Sequence, residues 1–117
     1  LTNGIDEFFY SFAIEVWRFE KRTKGLNQLV TENKEFNSLN DQLQRIKDVL
    51  SKHGIETQEF TGENYNDGMS FKVLHVEEIS DLPKGAMRIV ETVKPTVYLN
   101  GKVIYHGEII IGKSKSN

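Results

Sequence analysis

Two different spacings of apolar residues divide this chain into a helical part and a β-rich part. Up to about residue 54, apolar residues recur every three or four positions, which is the period of an amphipathic helix. The clearest helical series comprises Phe36, Leu39, Leu43, Ile46 and Leu50. From Ile55 onward, short β-branched and aromatic runs alternate with turn-forming residues, which is typical of strands. The pattern predicts an α+β fold, with a helical region at 1–54 and a C-terminal β-domain at 55–117.

The two predicted helices differ in how much of their surface is apolar. The second is expected from about Glu32 to His53, with Gly54 closing it in a left-handed conformation; the asparagines near its start are expected to weaken it. The first has a broad apolar face, with Ile14 and Phe19 off that face, and we expect it to be buried against its own chain and against a partner chain. An aromatic groove for a ligand is the alternative. The broad face is formed by Ile5, Phe8, Phe9, Phe12, Ala13, Val16 and Trp17.

The connection between the helices is expected to be a turn. Gly25 is a plausible C-terminal cap for the first helix, and the turn is expected at Lys24 to Thr31. Two helices joined in this way form an αα-hairpin, and two hairpins form a four-helix bundle across a dimer axis. The sequence therefore predicts a homodimer held by the helical region.

The β region is expected to form five or six short, mostly antiparallel strands. Asn100-Gly101 lies between two β-rich runs and strongly predicts a tight type I′ hairpin, because both central residues need positive φ. Pro95 is expected to end the preceding strand, since proline cannot donate to a sheet ladder. Residues 113–117 are expected to be a polar tail. The predicted strands cover residues 56–60, 70–78, 87–93, 97–99, 102–105 and 108–112.

Composition narrows the possible partners and compartments. The 117 residues have a net charge of −2, so no general attraction to nucleic acid or to an anionic membrane is expected. The chain lacks cysteine, and its longest uncharged runs, such as Phe8 to Ile14, are far too short to span a bilayer. A cytoplasmic protein fits these features. Because the first residue is Leu1 rather than Met, we expect a fragment whose N-terminal part is missing.

No catalytic constellation is recognisable in the sequence. The three histidines, His53, His75 and His106, match no local metal motif, and no glycine-rich phosphate loop joins a strand to a helix. Ser70 and Ser80 have no nearby base in the sequence. We therefore expect no metal, no cofactor and no enzyme activity, and we interpret the chain as a binding module.

The order of motifs from about residue 36 to 113 resembles the C-terminal part of the GrpE family, the nucleotide exchange factors of DnaK-type chaperones. The helix closes on His53-Gly54-Ile55-Glu56, and Pro83-Lys84-Gly85 precedes a strand. Leu99 to Ile104 reads LNGKVI, similar to the hairpin of the family, and Glu108 to Lys113 resembles its terminal strand. The resemblance implies a co-chaperone that binds the ATPase domain of a DnaK-type chaperone and promotes ADP release.

The resemblance also implies particular contact residues. The positions carried over as chaperone contacts are Ser38, Tyr65, Asp67, Val93, Lys102 and Ile111. For Val93 and Ile111 the alternative is a place in the β-core, and for Lys102 it is a solvated charge. The residues expected to hold the dimer together are Phe8, Phe12, Val16, Leu39, Leu43, Ile46 and Leu50. The alternative function is a dimeric structural or adaptor module that has a GrpE-like fold without exchange activity.

Overall fold

The computed structural model describes residues 4–27 and 33–115. Two helices are followed by six strands, so the α+β class is confirmed. The helices are α1 (Gly4–Asn27) and α2 (Lys34–Lys52). The strands are β1 (Ile55–Gln58), β2 (Lys72–Ile79), β3 (Met87–Lys94), β4 (Thr96–Leu99), β5 (Lys102–Tyr105) and β6 (Glu108–Ser114).

Helix α1 is longer than the sequence predicted. It continues through Gly25 to Asn27, so Gly25 is not its cap and the first part of the predicted turn is helical. The cost of a glycine inside a helix, about 1 kcal/mol, is too small to end one by itself. Lys24, in the last turn, forms an ion pair with Glu20 at 3.7 Å. The rest of the predicted turn, residues 28–32, lies outside the described residues.

Helix α2 begins at an asparagine that was expected to weaken it. Asn33 is the N-cap, and its side-chain oxygen accepts the backbone N–H of Phe36 at 2.9 Å. This bond satisfies one of the backbone donors that a helix start leaves unpaired. The C-terminal end is as predicted: His53 is the C-cap, and Gly54 follows with φ +81°.

The two helices pack as an antiparallel hairpin. Glu20, late in α1, accepts a charge-assisted hydrogen bond from Lys47 of α2, and Phe12, earlier in α1, shares a pocket with Leu50 and His53 at the end of α2. The buried apolar side chains of the hairpin are Ala13, Ile14, Val16 and Trp17 of α1 and Leu43 of α2. Burial of Ile14 shows that α1 contributes to the core beyond the predicted face.

The strands form two three-stranded sheets, with orders β1-β4-β5 and β2-β6-β3. In the second sheet β6 is central; it pairs antiparallel with β3 and parallel with β2. The pairing of β2 shifts between Val73 and His75, and His75 is exposed. Strand β6 also extends into the predicted polar tail, where Ser114 is buried.

The backbone forms two compact units, which are not the same as the two sequence regions. The first contains residues 1–57 and 97–104, and the second contains residues 58–96 and 105–117. Most of the β4–β5 hairpin, from Val97 to Ile104, therefore belongs to the same unit as the helices. The predicted domain boundary after residue 54 stays a prediction.

The second unit has its own apolar core. Its centre is formed by Ile89, Ile109 and Ile111, all nearly inaccessible to solvent. Packed against this centre are Phe60, Tyr65, Phe71, Val73 and Met87. The rings of Phe60 and Phe71 meet edge to face, with centroids 5.0 Å apart. The outer edge of β3 is covered by the segment 62–65, through bonds such as Gly62 N–H to Ile89 O at 2.7 Å.

Candidate functional site

Two of the six carried-over contact positions lie in the first compact unit, and both are exposed. Ser38 is on α2, and Lys102 begins β5 directly after the hairpin turn. Asn100 and Gly101 have φ of 52° and 81°, which confirms the two positive φ values expected for the turn. The turn therefore presents Lys102 on a tight, well-defined hairpin.

The tip of this hairpin is attached to the end of α2. The backbone N–H of Asn100 donates to the Gly54 carbonyl oxygen at 2.8 Å. The Asn100 side chain lies so close to Gly54 that a Cβ there would come within 2.0 Å of the amide oxygen. The positive φ favours glycine at this position, and a larger residue would also have to displace the Asn100 side chain. The helix end thus fixes the hairpin on which Lys102 lies.

Two further contact positions, Tyr65 and Asp67, belong to one turn of the second unit but differ in exposure. Tyr65 is half-buried against the isoleucine core, and its backbone N–H donates to the Met87 carbonyl at 3.0 Å. Asp67 is exposed and follows Asn66, whose side chain accepts the Gly68 N–H at 2.9 Å. Of the two side chains, that of Asp67 is the more accessible to a partner.

The remaining contact positions are the ones for which a β-core role was the alternative. Val93 is half-buried near the end of β3. Ile111 is 4% exposed and forms part of the isoleucine core. Because the Ile111 side chain is almost fully buried in this core, it is not accessible to a partner in this structure.

The seven residues expected to form the dimer separate into an exposed and a covered group. Phe8, Phe12 and Leu39 are exposed. Ile46 and Leu50 are half-buried, and Val16 and Leu43 are buried in the hairpin. Val16 and Leu43 are thus core residues of the hairpin, and any contact with a second chain must use the exposed group.

The outer side of α1 has a regular apolar stripe that is not among the predicted features. Ile5, Phe12, Phe19 and Leu26 are seven residues apart and are each 40% or more exposed. Phe8 lies on the same side, and its ring stacks on that of Phe12 with centroids 6.0 Å apart. Phe19, which was expected off the apolar face, is therefore in line with Phe12. A seven-residue repeat is the signature of a helix–helix seam, and the spacing could have revealed it.

An apolar pocket of about 570 Å³ opens at one end of the helical hairpin. Its volume is in the range of small-molecule sites. This pocket is the place where the alternative role of α1, an aromatic groove for a ligand, would be located. Two of its lining residues, Phe8 and Phe12, also belong to the stripe. The pocket is lined by Phe8, Phe9, Phe12, Val49, Leu50, His53, Ile55, Leu99 and Asn100.

A buried carboxylate in the second unit is fully paired. Glu108 is 9% exposed and accepts a hydrogen bond from the Tyr105 hydroxyl. The ammonium group of Lys94 lies 3.6 Å from the same carboxylate and 5.8 Å from the centre of the Tyr105 ring. The Lys94 ammonium compensates the charge of the Glu108 carboxylate at the start of β6. Because the cluster also joins β6 to the end of β3, we interpret it as a structural feature.

The histidines are not gathered into a site. His53 and His75 are exposed, and the ring of His106 lies 3.0 Å from the Ser70 carbonyl oxygen. Within residues 4–27 and 33–115, no three or more His, Asp or Glu side chains form a group that could hold a metal ion. In the same residues, neither helix has the length and hydropathy that a membrane span requires.

Comparison with known proteins adds no family assignment. No protein-family model matches this chain, and no curated protein matches it significantly.

Proposed function

We propose that this protein is a GrpE-like co-chaperone, which binds the ATPase domain of a DnaK-type chaperone as a homodimer and promotes ADP release. The observation that carries the proposal is the order of elements along the chain. Helix α2 ends at His53-Gly54, and a two-residue turn joins β4 to β5. Pro83-Lys84-Gly85 lies in a turn in which the Ala86 N–H donates to the Pro83 carbonyl oxygen. Each motif of the resemblance thus falls on the type of element that it implies.

The exposed stripe of α1 supports the dimer. A large apolar side chain presents roughly 200 Å² when fully exposed, so the five stripe residues together leave on the order of 500 Å² of apolar surface in water. This is at the upper end for a patch on a monomer. It is also a large part of the roughly 800 Å² that each partner buries in a standard interface. Pairing two hairpins along this stripe gives the proposed four-helix bundle.

The exchange mechanism requires no covalent chemistry from this chain. A partner can open the nucleotide cleft of the chaperone only if it binds the open form more tightly than the closed form. Lys102 and Asp67 are suited to such contacts because both are exposed and charged. Their backbone is already ordered, so only the ordering of the side chains opposes binding. Ser38 adds a small exposed residue on α2.

The proposal is tested by the release of a fluorescent ADP analogue from the DnaK-type chaperone of the same organism. Release should accelerate and saturate as the protein concentration rises. Lys102→Gln should weaken the effect, whereas Lys34→Gln, at an exposed lysine of the same unit, should not. Unchanged release at saturating protein concentration would refute exchange activity.

The adaptor module is the second candidate, because the core position of Ile111 removes one of the six expected contacts. An adaptor would bind the chaperone without changing the rate of ADP release. Binding measured in the same samples therefore separates the two functions.

A further inference from the structure

The turn between β4 and β5 places an asparagine before a glycine in an exposed position. Asn100 and Gly101 are both exposed, and nothing lies within 4 Å of the place that a Cβ would occupy on Gly101. The backbone nitrogen of Gly101 is therefore not shielded by a side chain of its own residue. This nitrogen is the group that can attack the side-chain amide of the preceding asparagine.

The side chain of Asn100 is less restrained than those of two other asparagines. Asn33 and Asn66 each use their amide oxygen to accept a backbone N–H at 2.9 Å. Asn100 forms no side-chain hydrogen bond within the described residues, where its backbone N–H alone is paired, with Gly54. Its amide is thus held by van der Waals contact rather than by a directional bond.

We propose that Asn100 is a site of spontaneous deamidation. The Gly101 nitrogen attacks Cγ of Asn100, an N–Cγ bond forms, the Cγ–Nδ2 bond breaks, and ammonia leaves with the proton from the Gly101 nitrogen. Water then adds to either carbonyl of the cyclic imide. Ring opening produces aspartate in one case and isoaspartate in the other.

Both products disturb the attachment of the hairpin to α2. The Asn100 side chain lies against Gly54, at the C-terminal end of α2, where the helix dipole presents partial negative charge. A carboxylate at this point is repelled. Isoaspartate lengthens the backbone by one carbon, which a two-residue type I′ turn does not accommodate. The modification therefore loosens the turn that precedes Lys102, whatever partner Lys102 contacts.

The test follows deamidation residue by residue in the intact chain. The protein is incubated at mildly alkaline pH and digested, and the exchange of NH₂ for OH is measured by peptide mass spectrometry. Exchange at Asn100 should be several-fold faster than at Asn66, which is followed by Asp67 and has its amide oxygen bonded. Gly101→Ala should slow the exchange at position 100.

Two results would overturn the proposal. One is exchange at Asn100 no faster than at Asn66. The other is much slower exchange at Asn100 in the folded chain than in the same chain unfolded in urea, since the turn would then be protective. As a readout of the consequence, Asn100→Asp should lower the midpoint of thermal unfolding, and Asn66→Asp should leave it nearly unchanged. Equal midpoints would contradict the proposed loss of hairpin attachment.

Discussion

At the scale of single residues, the contact of Gly54 with Asn100 determines how the β4–β5 hairpin meets α2. Gly54 combines a φ of +81° with a neighbour that would lie 2.0 Å from any added Cβ. Gly62 has a similar φ of +92°, but nothing lies within 4 Å of its Cβ position. A comparison of substitutions at the two glycines therefore separates the cost of a positive φ from the cost of a clash with the Asn100 side chain.

Gly54→Ala should destabilise the protein more than Gly62→Ala. A left-handed alanine costs roughly 1–2 kcal/mol, and this is the loss expected for Gly62→Ala. Gly54→Ala adds the displacement of the Asn100 side chain, so its loss should be larger. Urea unfolding of the two variants measures the difference, and equal losses would show that the Asn100 contact has no energetic weight.

Asn33 is a second residue whose role can be tested by itself. Asn33→Ala removes the acceptor of the Phe36 N–H and should lower the free energy of unfolding by about 1 kcal/mol. Asn37→Ala, one turn into α2, is the matched control and should be neutral or slightly stabilising, because alanine favours helix interiors. A neutral Asn33→Ala, measured in the same urea titrations, would contradict the capping role.

At the scale of secondary-structure elements, α1 has two apolar faces with different tasks. One side contributes Ala13, Val16 and Trp17 to the hairpin core. The outer stripe, represented by Phe12 and Phe19, remains in solvent in the single chain. Burial thus distinguishes residues that hold the hairpin together from those available to a second chain.

Phe12→Asp and Leu43→Asp should have different consequences. Phe12 is 45% exposed, so its replacement should abolish the proposed dimer and leave a folded monomer. Leu43 is 4% exposed, so an aspartate there buries an unpaired charge and should unfold the chain. Sedimentation equilibrium and circular dichroism separate these results. A Phe12→Asp variant that remains dimeric would refute the proposed interface.

The elements also show which parts of the fold the sequence could predict. The β4–β5 hairpin and the end of α2 depend on local chemistry, namely positive φ at Asn100, Gly101 and Gly54, and were predicted correctly. The predicted end of α1 is wrong, because the cost of one glycine, Gly25, is too small to stop a helix. The parallel pairing of β2 with β6 joins distant residues, such as Lys72 and Glu108, and no local pattern encodes it. Among the candidate contacts, Ile111 could not be assigned for the same reason, since strand burial depends on these pairings.

At the scale of the whole molecule, the chain contributes candidate contacts from two compact units. Ser38 and Lys102 belong to the unit with the helices, whereas Tyr65 and Asp67 belong to the other. The proposed function assigns dimerisation to the α1 stripe and chaperone contact to the exposed turns. A variant that loses dimerisation and keeps chaperone binding, or the reverse, would therefore show that the two tasks use separate surfaces.

The most direct test of the central claim is the rate of ADP-analogue release, measured against protein concentration for the unmodified chain, Lys102→Gln and Lys34→Gln. We expect saturable acceleration by the unmodified chain and by Lys34→Gln, with a weaker dose response for Lys102→Gln, because Lys102 is the exposed charge that the hairpin fixes in place. A release rate that stays at its basal value for all three proteins, at concentrations where the chaperone is saturated, would contradict the exchange-factor function.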